Sequence, residues 1–501
     1  MARGILPSCP VTTVFTAFEQ TARAHGAKPF LQVLPDDVEL TYSGALDEVS
    51  RVREIYSTAG YGAGHRVALR LPNCPEFLLH FLALNSLGTA VVPVNPDYHR
   101  AELEYVIGHS EACLVVDTKM LKAMDLPKAP RPGTAQECAL LYTSGTTGKP
   151  KGCLLSNFYF LALGRRYIDE GGLCALHEGE ERLITPLPLF HMNALAFSTT
   201  AMILTAGCIV QLDRFHPKSW WRDVVDSRAT IAHYLGVMPA ILMNAEETPR
   251  DHRVRFGYGA NANPKDHAAF ESRFGFPLIE GWAMTETGSG ALVSASREPR
   301  HVGTRGFGFG KQDTEVRIEA NGGLLVRHKG DDPRRGFFSG YLKDEQATAE
   351  AWRDGWFHTG DSARRGPDGA LHFVDRLKNI IRRAGENIAA LEVEAALAGH
   401  PAIAQVEVIA VPDSLRDEEV MACVVLQSEK EKSKNTAVSI QDWCLERLSY
   451  FKAPGHVAFV DALPTTATNK VQKAKLADFA VNAADSFDLR ERKKKTAAKS
   501  V

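Results

Sequence analysis

The chain has 501 residues, of which 45% are hydrophobic and 24% charged, and its formal net charge is −2. This composition is typical of globular proteins, and the small charge gives no electrostatic reason to expect nucleic acid or an acidic membrane as a partner. Nine cysteines without a C-x-x-C pair, no signal-peptide core and no apolar run long enough to span a membrane predict a soluble cytoplasmic protein without a disulfide framework or a zinc site.

Strand-like and helix-like segments alternate along the first three quarters of the chain. Apolar runs predict strands at 67–71, 90–94, 112–117 and 206–212. The segment 75–88 begins with proline and ends with glycine, a pattern typical of a helix. The alternation indicates an α/β fold in which helices cover mainly parallel sheets.

The segment 141–152 reads Leu-Tyr-Thr-Ser-Gly-Thr-Thr-Gly-Lys-Pro-Lys-Gly and carries three glycines and four hydroxyl side chains. It follows an apolar run, so we expect a loop at the carboxyl end of a strand, where α/β sheets bind ligands. Backbone amides, hydroxyls and lysines suit a polyphosphate and predict ATP binding, with a glycine-rich surface turn as the alternative. The spacing argues against a Walker loop, because only two residues separate Gly145 from Gly148 and Pro150 follows the lysine.

The pattern changes near residue 378. Beyond it, helices at 390–397 and 440–448 and strands at 405–411 and 421–426 predict a compact α+β unit. The charge run near the C-terminus is expected to be solvated. The predicted domains are 1–376, 377–480 and a disordered basic tail at 481–501.

Seven segments in order resemble the signature motifs of the adenylate-forming superfamily, which contains acyl-CoA synthetases, adenylation domains of peptide synthetases and luciferases. They are closest in character to the acyl-CoA synthetases. The seven segments are 142–152, 186–191, 280–286, 340–348, 355–361, 375–378 and 463–470.

The resemblance covers nearly the whole chain and implies both a fold and a reaction. The expected fold is a large N-terminal AMP-binding domain of helix-covered sheets with a distorted barrel subdomain, followed by a small mobile α+β domain. In the expected reaction, a carboxylic acid attacks ATP to give an acyl-adenylate and pyrophosphate, and a thiol then displaces AMP. The implied small molecules are the acid, ATP, Mg²⁺ and coenzyme A.

The same resemblance implies roles for residues around the nucleotide. Lys470 bridges the carboxylate and the phosphate, although Asn469 stands where the family usually has glycine; Glu286 binds Mg²⁺, and Thr285 contacts the α-phosphate. A solvated lysine and an exposed loop glutamate are the alternatives. The other implied nucleotide contacts are Thr143, Ser144, Gly145, Thr146, Thr147, Gly148, Lys149, Gly259, Ala260, Trp282, which stacks on adenine, and Asp361 and Arg376, which reach the ribose.

Three further positions coincide with residues that serve the second half-reaction, thioester formation, in the family. Lys378 coincides with the hinge of the mobile domain, and Gly385 would let a pantetheine arm pass closely. His191 resembles the residue that lines the acyl site and gates the pantetheine tunnel, with a satisfied core histidine as the alternative. An ordinary surface ion pair is the alternative for Asp361 and Arg376.

The acyl pocket is expected to be short. Tyr258 stands where a glycine often opens the pocket floor, so a short, branched, aromatic or alicyclic acid is favoured over a long fatty acid. The segments 235–240 and 280–282 also bear a weak similarity to the crotonobetaine/carnitine-CoA ligase branch. The implied pocket residues, besides His191 and Trp282, are Asn193, Tyr234, Met238, Tyr258 and Met284.

Coenzyme A is the preferred acceptor because the chain has no carrier or condensation module. Two alternatives stay open at this point: an adenylating enzyme that loads a separate acyl carrier protein, and an ATP-binding regulator without catalysis. The sequence leaves the oligomeric state open between monomer and homodimer.

Overall fold

The structure is a computed structural model, and it describes most of the chain. None of its described helices is both long and apolar enough to cross a membrane. The described residues are 12–117, 126–143, 149–245, 251–260, 262, 264–290, 292–293, 296–297, 300–303, 306–308, 313–320, 322–376, 380–428, 430–464, 476 and 486–493.

Helices begin and end where local signals predict. Thr13 caps α1 with its side chain and forms a capping box with Thr16, Pro75 occupies the first turn of α3, and Gly60 ends α2 with a φ of 91°. The α-helices are α1 (Val14–His25), α2 (Tyr42–Ala59), α3 (Pro75–Ser86), α4 (Arg100–Ser110), α5 (Asn157–Ile168), α6 (Thr199–Leu204), α7 (Trp220–Asp226), α8 (Val237–Met243), α9 (Pro264–Phe274), α10 (Glu345–Ala351), α11 (Ala390–Leu397) and α12 (Lys434–Leu445).

Most strands have two to six residues, and β19, β23 and β24 are longer, with ten or eleven. The first thirteen are β1 (Pro29–Leu34), β2 (Val38–Thr41), β3 (Arg66–Leu69), β4 (Ala90–Pro93), β5 (Leu114–Val116), β6 (Ala139–Thr143), β7 (Lys151–Leu155), β8 (Arg182–Thr185), β9 (Cys208–Leu212), β10 (Ile231–Leu235), β11 (Phe256–Ala260), β12 (Leu278–Trp282) and β13 (Leu292–Val293). The others are β14 (Gly306–Gly308), β15 (Thr314–Ile318), β16 (Gly323–His328), β17 (Gly340–Tyr341), β18 (Trp352–Arg353), β19 (Trp356–Arg365), β20 (Leu371–Arg376), β21 (Ile380–Arg383), β22 (Glu386–Ala389), β23 (Ile403–Asp413), β24 (Asp417–Leu426), β25 (His456–Phe459) and β26 (Ser486–Asp488).

The described residues divide into two compact units. The larger unit contains the described residues within 1–96, 107–142 and 152–374, and the smaller unit contains those within 97–106, 143–151 and 375–501. The division near 375 falls two residues before the boundary expected from the sequence. Two short segments from the first third of the chain join the smaller unit, which the sequence analysis did not expect.

An eight-stranded sheet positions the site in the larger unit, in the order β13-β12-β11-β10-β8-β9-β1-β2. Its inner strands run parallel, and β2 and β13 are antiparallel edges. The register pairs His233 with Tyr258 and Tyr234 with Gly259. Because successive side chains on a strand face opposite sides, His233 and Tyr258 share one face and Tyr234 lies on the other.

Two further sheets complete the larger unit. One has six strands in the order β17-β7-β6-β4-β3-β5, with β4 parallel to both β3 and β6. In the other, β14 pairs antiparallel with β20, and β15, β16, β18 and β19 form antiparallel pairs among themselves. The α/β class and the strands predicted at 67–71, 90–94, 112–117 and 206–212 are confirmed.

The smaller unit is built on a sheet in the order β22-β21-β24-β25-β26, with β23 paired to β24. Its α11 matches the predicted helix, whereas α12 begins six residues before the predicted position because Ser433 caps it. Ala384 and Gly385 join β21 to β22 with positive φ values of 48° and 88°. Such a two-residue turn matches the twist of a β-hairpin.

The prediction of a disordered tail is wrong for residues 486–493. Ser486–Asp488 forms β26 against β25, and the basic residues that follow are paired rather than solvated. Arg490 binds Asp413 at 2.7 Å, and Lys493 is buried with its Nζ 2.6 Å from Glu419. The described part of the charge run therefore belongs to the folded smaller unit, because Arg490, Arg492 and Lys493 each meet a carboxylate that composition alone does not locate.

A buried ion cluster in the smaller unit ties the segment 97–106 to the C-terminal part. Lys452 donates to Glu102 at 2.7 Å and to Glu392 at 2.8 Å, and Ser449 donates to Glu102 at 2.8 Å. Burial by itself would lower the pKa of Lys452, but the carboxylates of Glu392 and Glu102 raise it above its ordinary value. The ammonium group thus stays charged inside the unit.

Candidate active site

A tight turn after β12 carries Thr285 and the buried Glu286. The hydroxyl of Tyr341 donates to Glu286 Oε1 at 2.9 Å, and the hydroxyl of Tyr159 donates to the carbonyl oxygen of Thr285 at 2.8 Å. Burial and the nearby Glu286 charge raise the pKa of Tyr341, so its hydroxyl stays protonated and remains a donor. The turn is therefore held from both sides, and one carboxylate is presented in a defined orientation.

Trp282 and Asp361 meet directly, although they are 79 residues apart in the chain. The indole Nε1 of Trp282 donates to Asp361 Oδ2 at 2.8 Å. Asp361 is a residue of β19, and its backbone amide donates to Thr359 Oγ1 at 3.0 Å. The residues expected at the base and at the ribose of the nucleotide are thus adjacent.

The end of β11 carries Gly259 and Ala260, next to β12, the strand that ends at Trp282. A Cβ at position 259 would lie 2.3 Å from the carbonyl oxygen of Tyr234, so only glycine fits there. Nearby, Glu280 in β12 accepts a hydrogen bond from the backbone amide of Ala262. The carboxyl ends of β11 and β12 are consequently held close together next to Trp282.

Four aromatic rings pack together on the face of the sheet that carries Tyr258. Tyr167 stacks on Phe197 with centroids 4.3 Å apart and an interplanar angle of 4°. Tyr258 lies 5.0 Å from Tyr167 and 5.2 Å from Phe197, and His233 lies 5.7 Å from Tyr258. We call these four residues the aromatic group. A Cβ at Gly281 would be 2.9 Å from the hydroxyl of Tyr258, so this ring also fills the space beside β12.

A hydrogen-bonded chain holds the aromatic group to Asn193. Tyr167 Oη lies 3.0 Å from His233 Nε2, and His233 Nδ1 lies 3.0 Å from Ser198 Oγ and 3.1 Å from Asn193 Oδ1. Burial lowers the pKa of His233 to about 3, so the imidazole is neutral. Sequence reasoning selected Asn193 and Tyr258 but missed Tyr167, Phe197 and His233.

Two of the predicted pocket residues are not brought together with the rest. Tyr234 and Met238 are buried in the core on the opposite face of the eight-stranded sheet, among residues such as Phe270 and Leu278. These two residues therefore lie on the face opposite to Tyr258, because the register of β10 turns His233 rather than Tyr234 toward it. Met284 is partly buried against the core that contains Tyr258 and Trp282.

His191 is partly buried in the loop that leads to a short π-helix, Asn193–Ser198. Its ring lies 4.7 Å from that of Phe190, and its backbone amide donates to the carbonyl of Pro188 at 3.0 Å. A π-helix is uncommon and often marks a functional position. His191 and Asn193 thus flank the start of an irregular helix that also supplies Phe197.

The remaining predicted residues that can be located belong to the smaller unit. Thr143 ends β6 and is partly buried, and Lys149 is exposed with its Nζ 5.4 Å from the ring centroid of Tyr105. Arg376 is the last residue of β20, and Gly385 is exposed at the tip of the β21–β22 hairpin. The other predicted residues, Ser144, Gly145, Thr146, Thr147, Gly148, Lys378 and Lys470, lie outside the described residues.

The described side chains suit a divalent cation that needs few protein ligands. Within the described ranges, no group of three His, Cys, Asp or Glu side chains is arranged to hold a metal ion. Glu286 instead offers a single buried carboxylate held by Tyr341. Mg²⁺ commonly takes one or two carboxylates together with phosphate oxygens and waters, so this donor set fits it.

Two family descriptions match the chain. Residues 18–137 and 117–331 match the AMP-binding enzyme family, and residues 392–470 match the C-terminal domain of AMP-binding enzymes. Among curated proteins, a crotonobetaine/carnitine–CoA ligase of Escherichia coli O45:K1 (strain S88) is 29% identical over 481 residues, covering 86% of this chain and 91% of that protein. The ligase of the same name from Shigella flexneri is 28% identical with the same coverage.

Solved structures share the fold. A double mutant of o-succinylbenzoate CoA synthetase from Bacillus subtilis, bound with a product analogue, superposes with a TM-score of 0.79 at 23% identity, covering 93% of this chain and 98% of that one. An amide bond synthetase from Marinactinospora thermotolerans gives 0.78 at 22% identity, covering 93% and 99%. At these identities the likeness concerns the fold.

Proposed function

The chain belongs to the AMP-binding enzyme family, and on that premise we propose that it is an ATP-dependent ligase that joins a carboxylic acid to coenzyme A through an acyl-adenylate. The observation that carries the proposal is the contact between Trp282 and Asp361, since it unites the residues assigned to adenine and ribose. The turn at Thr285 and Glu286 supplies the polar groups assigned to the phosphates. The CoA-ligase names of the curated relatives support the choice of acceptor.

The proposed reaction has two steps. A carboxylate oxygen of the acid attacks the α-phosphorus of ATP, and the bond to pyrophosphate breaks. The sulfur of coenzyme A then attacks the acyl carbon, the thiol proton is released, and AMP leaves with the electron pair of the broken acyl–oxygen bond. Both steps gather negative charge on oxygen, so donors and cations held in place lower the barrier.

Each proposed role matches what the side chain can do. Lys470 places a positive charge between carboxylate and phosphate in the first step, and Thr285 donates to the α-phosphate. Asp361 accepts from the ribose hydroxyls, which suits a carboxylate with two oxygens. Glu286 would hold Mg²⁺, which when bound offsets the charge of the phosphate oxygens. Between the two steps, Lys378 acts as the hinge of the small domain.

The aromatic group supports a compact acid. Tyr258 fills the space between Phe197 and the backbone of Gly281, so little room is left for a long chain on this side of the sheet. His233 is neutral, so the group adds no charge. We therefore assign a short, branched, aromatic or alicyclic acid.

The test is an acid-dependent exchange of labelled pyrophosphate into ATP, followed by addition of coenzyme A. The acid panel contains short aliphatic, branched, aromatic, alicyclic and long-chain acids together with crotonobetaine and carnitine. We expect exchange with at least one compact acid and thioester formation after coenzyme A is added. Absence of exchange with every acid would refute the proposal.

The alternative acceptor is a pantetheine-bearing carrier protein. Exchange that is not followed by thioester formation on free coenzyme A would favour this alternative, and loading of a carrier protein by the same preparation would establish it. The comparison uses one acid and one enzyme preparation, so a difference between acceptors cannot arise from the first step.

A further inference from the structure

Trp282 carries a hydrogen-bond donor at the edge of its flat aromatic ring, and that donor is engaged inside the candidate site. An indole N–H is a donor only, and here it is used on Asp361 Oδ2 at 2.8 Å. Both partners are buried, with relative exposures of 7% for Trp282 and 1% for Asp361. A hydrogen bond to a charged acceptor in such surroundings is stronger and more directional than a neutral one in water.

The backbone beside Asp361 is held as well. Thr359 Oγ1 accepts from the amide of Asp361 at 3.0 Å and donates to the carbonyl oxygen of Leu324 at 2.7 Å. The chain of contacts therefore runs from β16 through β19 to the end of β12. Since the backbone is already held, the indole N–H acts on the freedom that remains to this carboxylate, which is the rotation of its side chain.

We infer that Trp282 is a positioning residue that holds the Asp361 carboxylate in the orientation that receives the ribose hydroxyls. This inference rests on the proposed function, in which Asp361 binds the ribose. Trp282 thereby does two things: its ring face lies against the base, and its edge sets the acceptor for the sugar. A nucleotide that lacks a ribose hydroxyl would lose most of the benefit of this arrangement.

The experiment compares ATP with 2′-deoxy-ATP and 3′-deoxy-ATP in the acid-dependent pyrophosphate exchange of the full-length protein. The readout is the ratio of kcat/KM for ATP to kcat/KM for each deoxynucleotide, because general damage to the fold lowers both values and leaves their ratio unchanged. Trp282→Phe keeps an aromatic ring and removes the N–H. We expect it to lower the ratio by roughly tenfold, the size of one hydrogen bond to a charged group.

Trp352 offers a matched control. Its relative exposure is also 7%, and its indole N–H has no hydrogen-bond partner among the described residues. Trp352→Phe makes the same chemical change in the same unit and should leave the ratio unaltered. If Trp282→Phe does not fold, Trp282→Tyr is used instead, because it also removes the indole N–H and fills more of the space than phenylalanine does. The same fall in the ratio is expected.

A double-mutant cycle with Asp361→Asn separates action through Asp361 from independent action. If Trp282 works by positioning Asp361, adding Trp282→Phe to Asp361→Asn should change the ratio by less than twofold, since coupled residues are not additive. Retention of the wild-type ratio in Trp282→Phe, with both kcat/KM values reduced equally, would overturn the inference and leave Trp282 as a stacking residue. Absence of pyrophosphate exchange in the wild-type protein would instead contradict the proposed function.

Discussion

Tyr258→Ala is predicted to change which acids the enzyme accepts. The mutation removes a buried ring that contacts Tyr167 at 5.0 Å and Phe197 at 5.2 Å between centroids. The lost side chain has about seven heavy atoms, and three or four methylene groups of a longer acid could occupy the same volume. At about 0.8 kcal/mol per buried methylene, this corresponds to about 2.4–3.2 kcal/mol, or roughly a 50- to 200-fold gain in kcat/KM for a longer acid relative to a short one.

The same substitution should also destabilise the protein. Truncating a buried aromatic side chain to alanine typically costs about 3–5 kcal/mol, so the variant is assayed at low temperature and its urea midpoint is measured. Phe270→Ala is the matched control, since Phe270 is 2% exposed and lies in the core on the opposite face of the same sheet. It should lose comparable stability without a change in acid preference.

The assay measures AMP release with a series of straight-chain acids that differ by one methylene. We expect the optimum to move to longer acids in Tyr258→Ala and to stay in place in Tyr258→Phe, which keeps the ring. If Tyr258→Ala lowers kcat/KM by the same factor for every acid, as Phe270→Ala would, then Tyr258 is only a core residue and the assignment of a compact acid loses its basis.

Three other predictions follow from described contacts. Tyr341→Phe removes the 2.9 Å hydrogen bond to Glu286, and a loss of about 1.5–3 kcal/mol should lower the pyrophosphate-exchange rate roughly 10- to 100-fold with partial rescue by excess Mg²⁺, whereas an unchanged rate would contradict the role of this carboxylate. Glu102→Gln removes one of the two carboxylates that bind Lys452, and it should lower the free energy of unfolding, measured by urea denaturation, by about 1.5–3 kcal/mol. An unchanged free energy of unfolding would show that this ion pair does not form in solution. Burial by itself would raise the pKa of Glu271, but hydrogen-bond donors lower it to about 2. The ionised carboxylate therefore stabilises the fold at pH values above its ordinary pKa of 4.5, and this contribution is lost as the pH falls toward 2. Glu271→Gln should accordingly reduce the fall of the urea midpoint between pH 4.5 and pH 2.

The sequence by itself determined the chemistry and the local structure. Residue types at fixed spacing within short motifs were enough to assign the superfamily, and the family matches confirm that assignment. Proline at the start of a helix, glycine at its end and short apolar runs located α3 and several strands, because these signals act over a few neighbouring residues. Glu286 and Asp361 were selected for the same reason, since each lies inside such a motif.

Only the tertiary structure decided how distant residues combine. The contact from Trp282 to Asp361, the choice of His233 over Tyr234 on the face of Tyr258, and the pairing of the C-terminal cations with buried carboxylates all depend on strand register and packing. The alternation along β10 indicates that only one of its two neighbouring side chains shares the face of Tyr258, but it does not say which one. A shift of one residue in register exchanges the two faces of a strand, and nothing within a single segment sets that register.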